Sequence, residues 1–338
     1  MRTIKSQSRS IGERGWCLLA LLALLLSTFQ PSCRHPSTPN RIVVATSQGG
    51  ALGFASELIK QRGIDKKRGL AVDFRLFSPD QGELALFNRV VDAGYFGPVS
   101  AAKANLEGRA ITLFGAALLN HYSIVVKPGS PIKTFDQLKG RRLGTVERYT
   151  GGYTSLATVF AVRGLDLERY CTVITGSPTA LTSFLERGDV DAIILFEPQT
   201  SILTARGAVR VVATVRQLWA DVAHQQPLLL LGLAAQRDWI DRNKDVASAL
   251  AASYYEAFAM IREDKSVFEA EWAKKVLGIR SDQELAAVEK ALPLAYPSGW
   301  DAIAVRAANL QLEKSVTLGL LRGVPPNPIF ITLDKTGR

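Results

Sequence analysis

From residue 41 onward, short apolar runs alternate with longer stretches whose apolar residues recur every three to four positions, the pattern of strands interleaved with amphipathic helices. The pattern predicts strands over 42–46, 72–77, 91–96 and 111–115, with helices over 51–62, 82–89 and 99–107 between them. A second series predicts strands over 123–127, 142–146, 171–175, 191–196 and 209–214, with helices over 152–163 and 179–186. Both series run from a helix through a turn into Val-Asp-Ala and an apolar strand. The two copies are Val91-Asp92-Ala93 and Val190-Asp191-Ala192, closed by Pro98 and Pro198. The repetition predicts two similar α/β lobes. A further apolar strand over 228–233 precedes a helix-rich stretch, 238–321, in which Leu250, Tyr254, Ala257, Phe258 and Ile261 take helical spacing.

The N-terminus departs from this pattern. Arg2, Lys5, Arg9 and Arg14 precede the unbroken apolar run 16–26, which reads as the charged and hydrophobic regions of an export signal over 1–33. A membrane-crossing helix needs about 20 apolar residues, and this run gives way to Ser27, Thr28, Gln30 and Pro31. Cys33 follows the small Ser32, so it reads either as the lipid-attachment residue of a lipoprotein or as a residue beside an ordinary cleavage site; Gln30-Pro31 is an unusual approach to a lipidated cysteine. Residues 34–40, with Pro36, Ser37 and Pro39, read as a tether. The expected location is the periplasm or the outer face of the cytoplasmic membrane.

Composition narrows the chemistry. Loss of residues 1–33 removes four basic residues and one acid, lowering the net charge from +10 to +7, which suits an anionic solute or a membrane surface. Cys171 is then left without a partner if Cys33 is acylated, and a chain of this size needs no disulfide. His35, His121 and His224 lie far apart, so no metal site is expected. There is no G-x-S-x-G elbow or P-loop, and Gly49, Gly50 and Gly53 do not form a dinucleotide fingerprint; no cofactor is expected. Basic runs such as 66–68 and 141–142 lack interleaved aromatics, which argues against a nucleic-acid face.

Three phrases resemble one family, the type II periplasmic solute-binding proteins of ABC importers in the nitrate, sulfonate and taurine branch. The first is 91–98, Val-Asp-Ala-Gly-Tyr-Phe-Gly-Pro, with Gly108-Arg109-Ala110-Ile111 after the next helix. The second, 130–144, is similar to the segment that opens the second lobe in that family. The third joins Gly164-Leu165-Asp166 to 185–192 and Glu197-Pro198. The resemblance covers about 41–317. It implies two hinged α/β lobes, with lobe one formed by 41–121 and 227–338 and lobe two by 122–226. It also implies solute capture in the cleft between them and delivery to an inner-membrane permease by a monomeric binder that is not an enzyme.

Ligands of open α/β sheets bind beyond the carboxyl ends of the strands. Four segments fit that position: Ser47, Gln48, Gly49 and Gly50; Gly97, Pro98 and Ser100; Tyr149, Thr150, Gly151, Gly152 and Tyr153; and Glu197. Free amides at the first and third would favour an oxyanion such as a sulfonate, nitrate or carboxylate. The same glycines and serines also serve as ordinary turns and caps. If the family alignment holds, Glu197 points into the cleft and favours an amine, which admits zwitterions such as taurine or an aminopyrimidine precursor of thiamine; otherwise it is a helix-start carboxylate beside Pro198. His121, Tyr122 and Trp219 at the crossings read as packing residues. A same-fold enzyme, such as a chorismate dehydratase-like lyase, is the rival class.

Overall fold

The computed structural model describes residues 39–333 apart from His224 and Gln225. The expected export signal, Cys33 and the tether up to residue 38 lie outside the described residues.

Ten strands form two five-stranded sheets. The first contains β1 (Asn40–Ser47), β2 (Leu70–Phe77), β3 (Ala93–Phe96), β4 (Ile111–Leu119) and β10 (Leu229–Gln236), in the order β2-β1-β3-β10-β4. The second contains β5 (Tyr122–Val126), β6 (Arg142–Thr145), β7 (Thr172–Thr175), β8 (Ala192–Phe196) and β9 (Arg210–Thr214), in the order β7-β6-β8-β5-β9. Each has three parallel strands followed by an antiparallel pair, with Leu233 opposite Tyr95 and Gly115 in one and Ile124 opposite Ile194 in the other. The molecule therefore has the two-lobed α/β fold that the sequence pattern implied.

The repeated Val-Asp-Ala has a physical reason. The Asp92 carboxylate accepts the Val43 N–H of β1 at 2.8 Å, and Asp191 accepts the Arg142 N–H of β6 at 2.8 Å. In each lobe the aspartate satisfies an amide of the neighbouring strand just before the paired residues, Val44 with Ala93 and Leu143 with Ala192. The alanine that follows, Ala93 or Ala192, is fully buried in its strand.

β4 and β10 extend beyond the expected 111–115 and 228–233 because they pair with each other along almost their whole length. The helix expected over 82–89 starts earlier, at Pro79, and runs to Phe87. Proline at the first helical position carries the required φ and lacks an N–H that would be unsatisfied there.

The chain passes from the first sheet to the second across Asn120 and His121. Asn120 is fully buried; its N–H donates to the Leu228 carbonyl at 2.8 Å, and its Nδ2 donates to Ser155 Oγ at 3.0 Å. Its Oδ1 accepts the Tyr122 N–H at 3.1 Å. One residue thus ties the outgoing crossing to the returning one through its backbone and to the helix Gly151–Val162 through its side chain. Trp219, near the return, is buried and donates from Nε1 to the Gln226 carbonyl at 2.9 Å, as a packing residue should.

The C-terminal helices cover both lobes. Lys244–Glu263 and Glu271–Leu277 pack on the first-lobe helix Gly50–Arg62, with Tyr254 hydrogen-bonded to Ser56 at 3.1 Å. Asp282–Ala291 packs instead on the second-lobe helix Gln199–Ala205. There, Arg206 Nε donates to Glu284 at 2.8 Å. Ala302–Thr317 lies against Pro98–Leu106 of one lobe and Gly151–Val162 of the other, with Ser315 and Thr158 hydroxyls 3.1 Å apart.

Candidate functional site

Two adjoining chambers lie where the strand ends of the sheets face each other. The outer one, of about 850 Å³, is lined by Ser47, Gln48, Gly49, Gly50, Ser78, Gln81, Ser177, Pro178, Thr179, Gln199 and Lys275, among others. The inner one, of about 160 Å³, is lined by Glu83, Glu147, Thr150, Gly152 and Gly176. Tyr95, Tyr122, Ser177, Pro178 and Leu231 form walls of both.

The outer chamber is built from helix starts. Gly50–Arg62, Pro79–Phe87 and Pro178–Arg187 all begin at its wall, preceded by Gly49, Ser78 and Ser177. First-turn N–H groups have no partner within their helix and carry the positive end of its dipole. Gly50 holds φ at +71°, a left-handed conformation that a glycine adopts without strain. At Gly49 an added Cβ would lie 2.9 Å from the Val276 carbonyl oxygen, so the glycine lets the C-terminal helices close over this segment.

His121, Tyr122 and Phe196 form an aromatic floor, with Tyr122 and Phe196 ring centres 5.5 Å apart and His121 edge-on to both. His121 Nδ1 lies 2.9 Å from the Leu119 carbonyl, so that nitrogen carries the proton. Desolvation lowers the imidazole pKa to about 4; the Leu119 bond opposes this, and the Arg216 charge adds to it. His121 is neutral at ordinary pH. The Tyr122 phenol is held well above its usual range, first by burial and then by the Glu83 charge.

The expected site residues divide into two groups. Ser47, Gln48, Gly49 and Gly50 line the outer chamber, and Thr150 and Gly152 line the inner one. The Thr150 hydroxyl also caps its helix by accepting the Tyr153 N–H. The others fall elsewhere. Gly97 and Gly151 touch backbone to backbone across the lobes: an added Cβ on Gly151 would lie 2.8 Å from Gly97 Cα. Ser100 Oγ donates to the Tyr149 carbonyl at 2.8 Å, and Pro98 begins the helix that carries Ser100. Gly97, Pro98, Ser100 and Gly151 therefore form an inter-lobe contact rather than chamber lining, because strand ends that approach this closely leave no space between them.

The Tyr149 side chain is largely exposed and lines neither chamber. The Tyr153 hydroxyl bonds Glu168 and its ring lines a separate groove with Lys103 and Asp166. Glu197 is buried, follows the aromatic Phe196 and is joined to Pro198 by a cis peptide bond. Its Oε2 accepts the Ser201 N–H at 3.3 Å, and desolvation raises its pKa despite that bond. This is the helix-start arrangement; Glu197 lines neither chamber.

Sequence reasoning missed Ser78, Ser177, Pro178, Glu83, Glu147 and Tyr95. The repeat could have supplied two of them. Carried over in the register of Asp92 and Asp191, Ser78-Pro79 of the first lobe falls on Ser177-Pro178 of the second, and both serines face the outer chamber. Glu83 gives no such signal, since a glutamate in the second turn of an amphipathic helix resembles any solvated residue.

Comparisons with known proteins agree with this architecture. Residues 66–227 match the family model described as the ABC transporter, phosphonate, periplasmic substrate-binding protein. Among curated proteins, none matches the chain by sequence. Similar solved structures include the alkanesulfonate-binding protein SsuA from Xanthomonas axonopodis pv. citri bound to MOPS. It is 20% identical, the alignment covers 88% of this chain and 99% of that one, and the TM-score is 0.71. The periplasmic aliphatic sulphonate-binding protein SsuA from Escherichia coli is 20% identical over 86% of this chain and 96% of that one, with a TM-score of 0.65. The periplasmic nitrate-binding protein NrtA from Synechocystis PCC 6803 is 14% identical over 84% and 82%, with a TM-score of 0.61. The family match lies across the centre of the chain, and the fold shared with these binding proteins runs along most of its length.

Proposed function

We propose that the cleft captures a small anionic or zwitterionic solute, such as a sulfonate, taurine or nitrate, and that the closed complex is presented to an inner-membrane permease. The observation that carries this reading is the convergence of three helix starts, at Gly50, Pro79 and Pro178, on one chamber of about 850 Å³. Their positive dipole ends favour an oxyanion although Pro79 and Pro178 carry no N–H, and Lys275 in the same wall adds a positive charge. Asn120 and the return near Pro227 act as the hinge, with 41–121 and 227–338 on one side and 122–226 on the other.

A second reading, an aminopyrimidine, is favoured by the inner chamber, where Tyr95 and Tyr122 stand with Glu83 and Glu147. The family match favours capture over the lyase reading. Thermal-shift screening of the chain from residue 34 separates these classes, because a ligand that binds only the folded state raises the melting temperature. Sulfonates, taurine or nitrate should stabilise it by several degrees. Stabilisation by a sugar or polyamine with none by any anion contradicts the proposal.

A further inference from the structure

Glu83 belongs to the first lobe, in the helix Pro79–Phe87, but its carboxylate reaches the second. It is 3% exposed, and Oε1 accepts the Gly151 N–H at 3.1 Å. Gly151 is the first residue of the twelve-residue helix Gly151–Val162, so its amide has no partner within the helix. The donor is already satisfied by an acid of the protein itself.

The surroundings preserve that arrangement. Gly82 leaves room for Tyr95, whose hydroxyl would lie 2.8 Å from a Cβ placed there. Gly152 leaves room for Tyr122 in the same way, at 2.6 Å. The two phenols thus press from both sides on the chamber that Glu83 and Glu147 line. The field of Glu83 extends to Tyr122, where it adds to burial in holding the phenol protonated. A protonated phenol is compatible with a neighbouring carboxylate; an anionic oxygen in this space would face the carboxylates of Glu83 and Glu147.

We propose that Glu83 is a specificity-determining residue of the cleft: its carboxylate occupies the oxyanion position at the start of Gly151–Val162, so a solute must present an ammonium or another hydrogen-bond donor to the inner chamber. The anionic end of the same solute then lies in the outer chamber, on the helix starts at Gly50, Pro79 and Pro178. The two chambers adjoin across the shared walls of Tyr95, Tyr122, Ser177, Pro178 and Leu231, so a short zwitterion would place one end in each. This rests on the reading of the cleft as an anion or zwitterion site and assigns the polarity of its deeper end. Glu83, rather than Glu197, is the acid that recognises the amine.

The test is a calorimetric titration with two matched probes, taurine and ethanesulfonate, which share the sulfonate and differ in the amine. The wild-type chain should bind taurine at least tenfold more tightly. Glu83→Gln keeps an acceptor for the Gly151 N–H but removes the charge, and should reduce that ratio to within about threefold of unity, chiefly by weakening taurine. Glu147→Gln should lower the ratio less. Should Glu83→Gln fail to fold, as judged by circular dichroism, Glu147→Gln carries the test, and an unchanged ratio there overturns the proposal. Equal wild-type affinities for the two probes, or an unchanged ratio in folded Glu83→Gln, overturn the role of Glu83 while leaving anion capture intact. Binding of neither probe overturns the anion reading and this proposal with it.

Discussion

At the scale of single residues, the crossing between the lobes shows how burial sets charge. His121 sits beside the cleft with Tyr122 and Phe196, and desolvation lowers its pKa from the ordinary 6.5 to about 4. Its folded pKa lies below the unfolded one, so between these values the unfolded chain binds the proton and the folded chain does not. Stability from this group is complete above about pH 6.5 and falls as the pH drops toward 4. The loss across that window should be about 2–3 kcal/mol. Thermal melts at pH 7.5 and 4.5 should show a larger acid destabilisation in the wild type than in His121→Gln. An imidazole that titrates near its ordinary value in an NMR titration contradicts this. Residues of this kind were only partly legible in the sequence. Ser47 to Gly50 could be placed because glycines after a strand have few uses, whereas Glu83 acts on Gly151 across a distance in the chain that no local pattern encodes. Gly97, Ser100 and Gly151 satisfied the rule for strand-end ligands, yet they serve the contact between lobes, because the rule does not specify how closely the two lobes approach.

At the scale of elements, the repeat was the most readable feature. Val91-Asp92-Ala93 and Val190-Asp191-Ala192 mark equivalent strands because each aspartate closes an amide where its strand begins to pair with its neighbour, a local requirement that leaves a local trace. The strand extensions in β4 and β10 were less visible, since their length comes from pairing between segments far apart in the chain. The helix Asp282–Ala291 shows the same limit. Its sequence is that of an amphipathic helix, and only the packing reveals that it grips Gln199–Ala205 of the second lobe. Glu284 is buried at this junction, and its pKa is lowered first by the Arg206 hydrogen bond; its Oε2 also accepts the Arg280 N–H. The depressed pKa means that the stabilisation is present above the ordinary glutamate range and is lost as acid protonates the group. Arg206→Ala leaves a buried carboxylate with a weaker set of partners. It should cost about 1–2 kcal/mol at neutral pH, discounted because the guanidinium is partly exposed. The penalty should shrink below about pH 4. Urea melts at both pH values check this, and an equal penalty at each contradicts the ion pair as its source.

At the scale of the whole molecule, the two sheets, the crossings and the C-terminal helices produce a cleft whose outer part is bordered by helix starts and whose inner part is lined by two glutamates. The two-lobed class was legible because strand and helix periods differ strongly and the unit recurs. The cleft was legible only as a set of strand ends, since its division into two chambers depends on Tyr95, Tyr122 and Leu231 meeting from both lobes. Closure around a solute should protect both sides at once, because each lobe supplies part of each wall. Amide hydrogen exchange with and without saturating taurine reads this directly. The account predicts slowed exchange concentrated at residues 47–50, 121–122, 150–152 and 177–179, on both lobes. Exchange that is unchanged there, or slowed instead around the separate groove at residues 127–142, would contradict solute capture in the cleft.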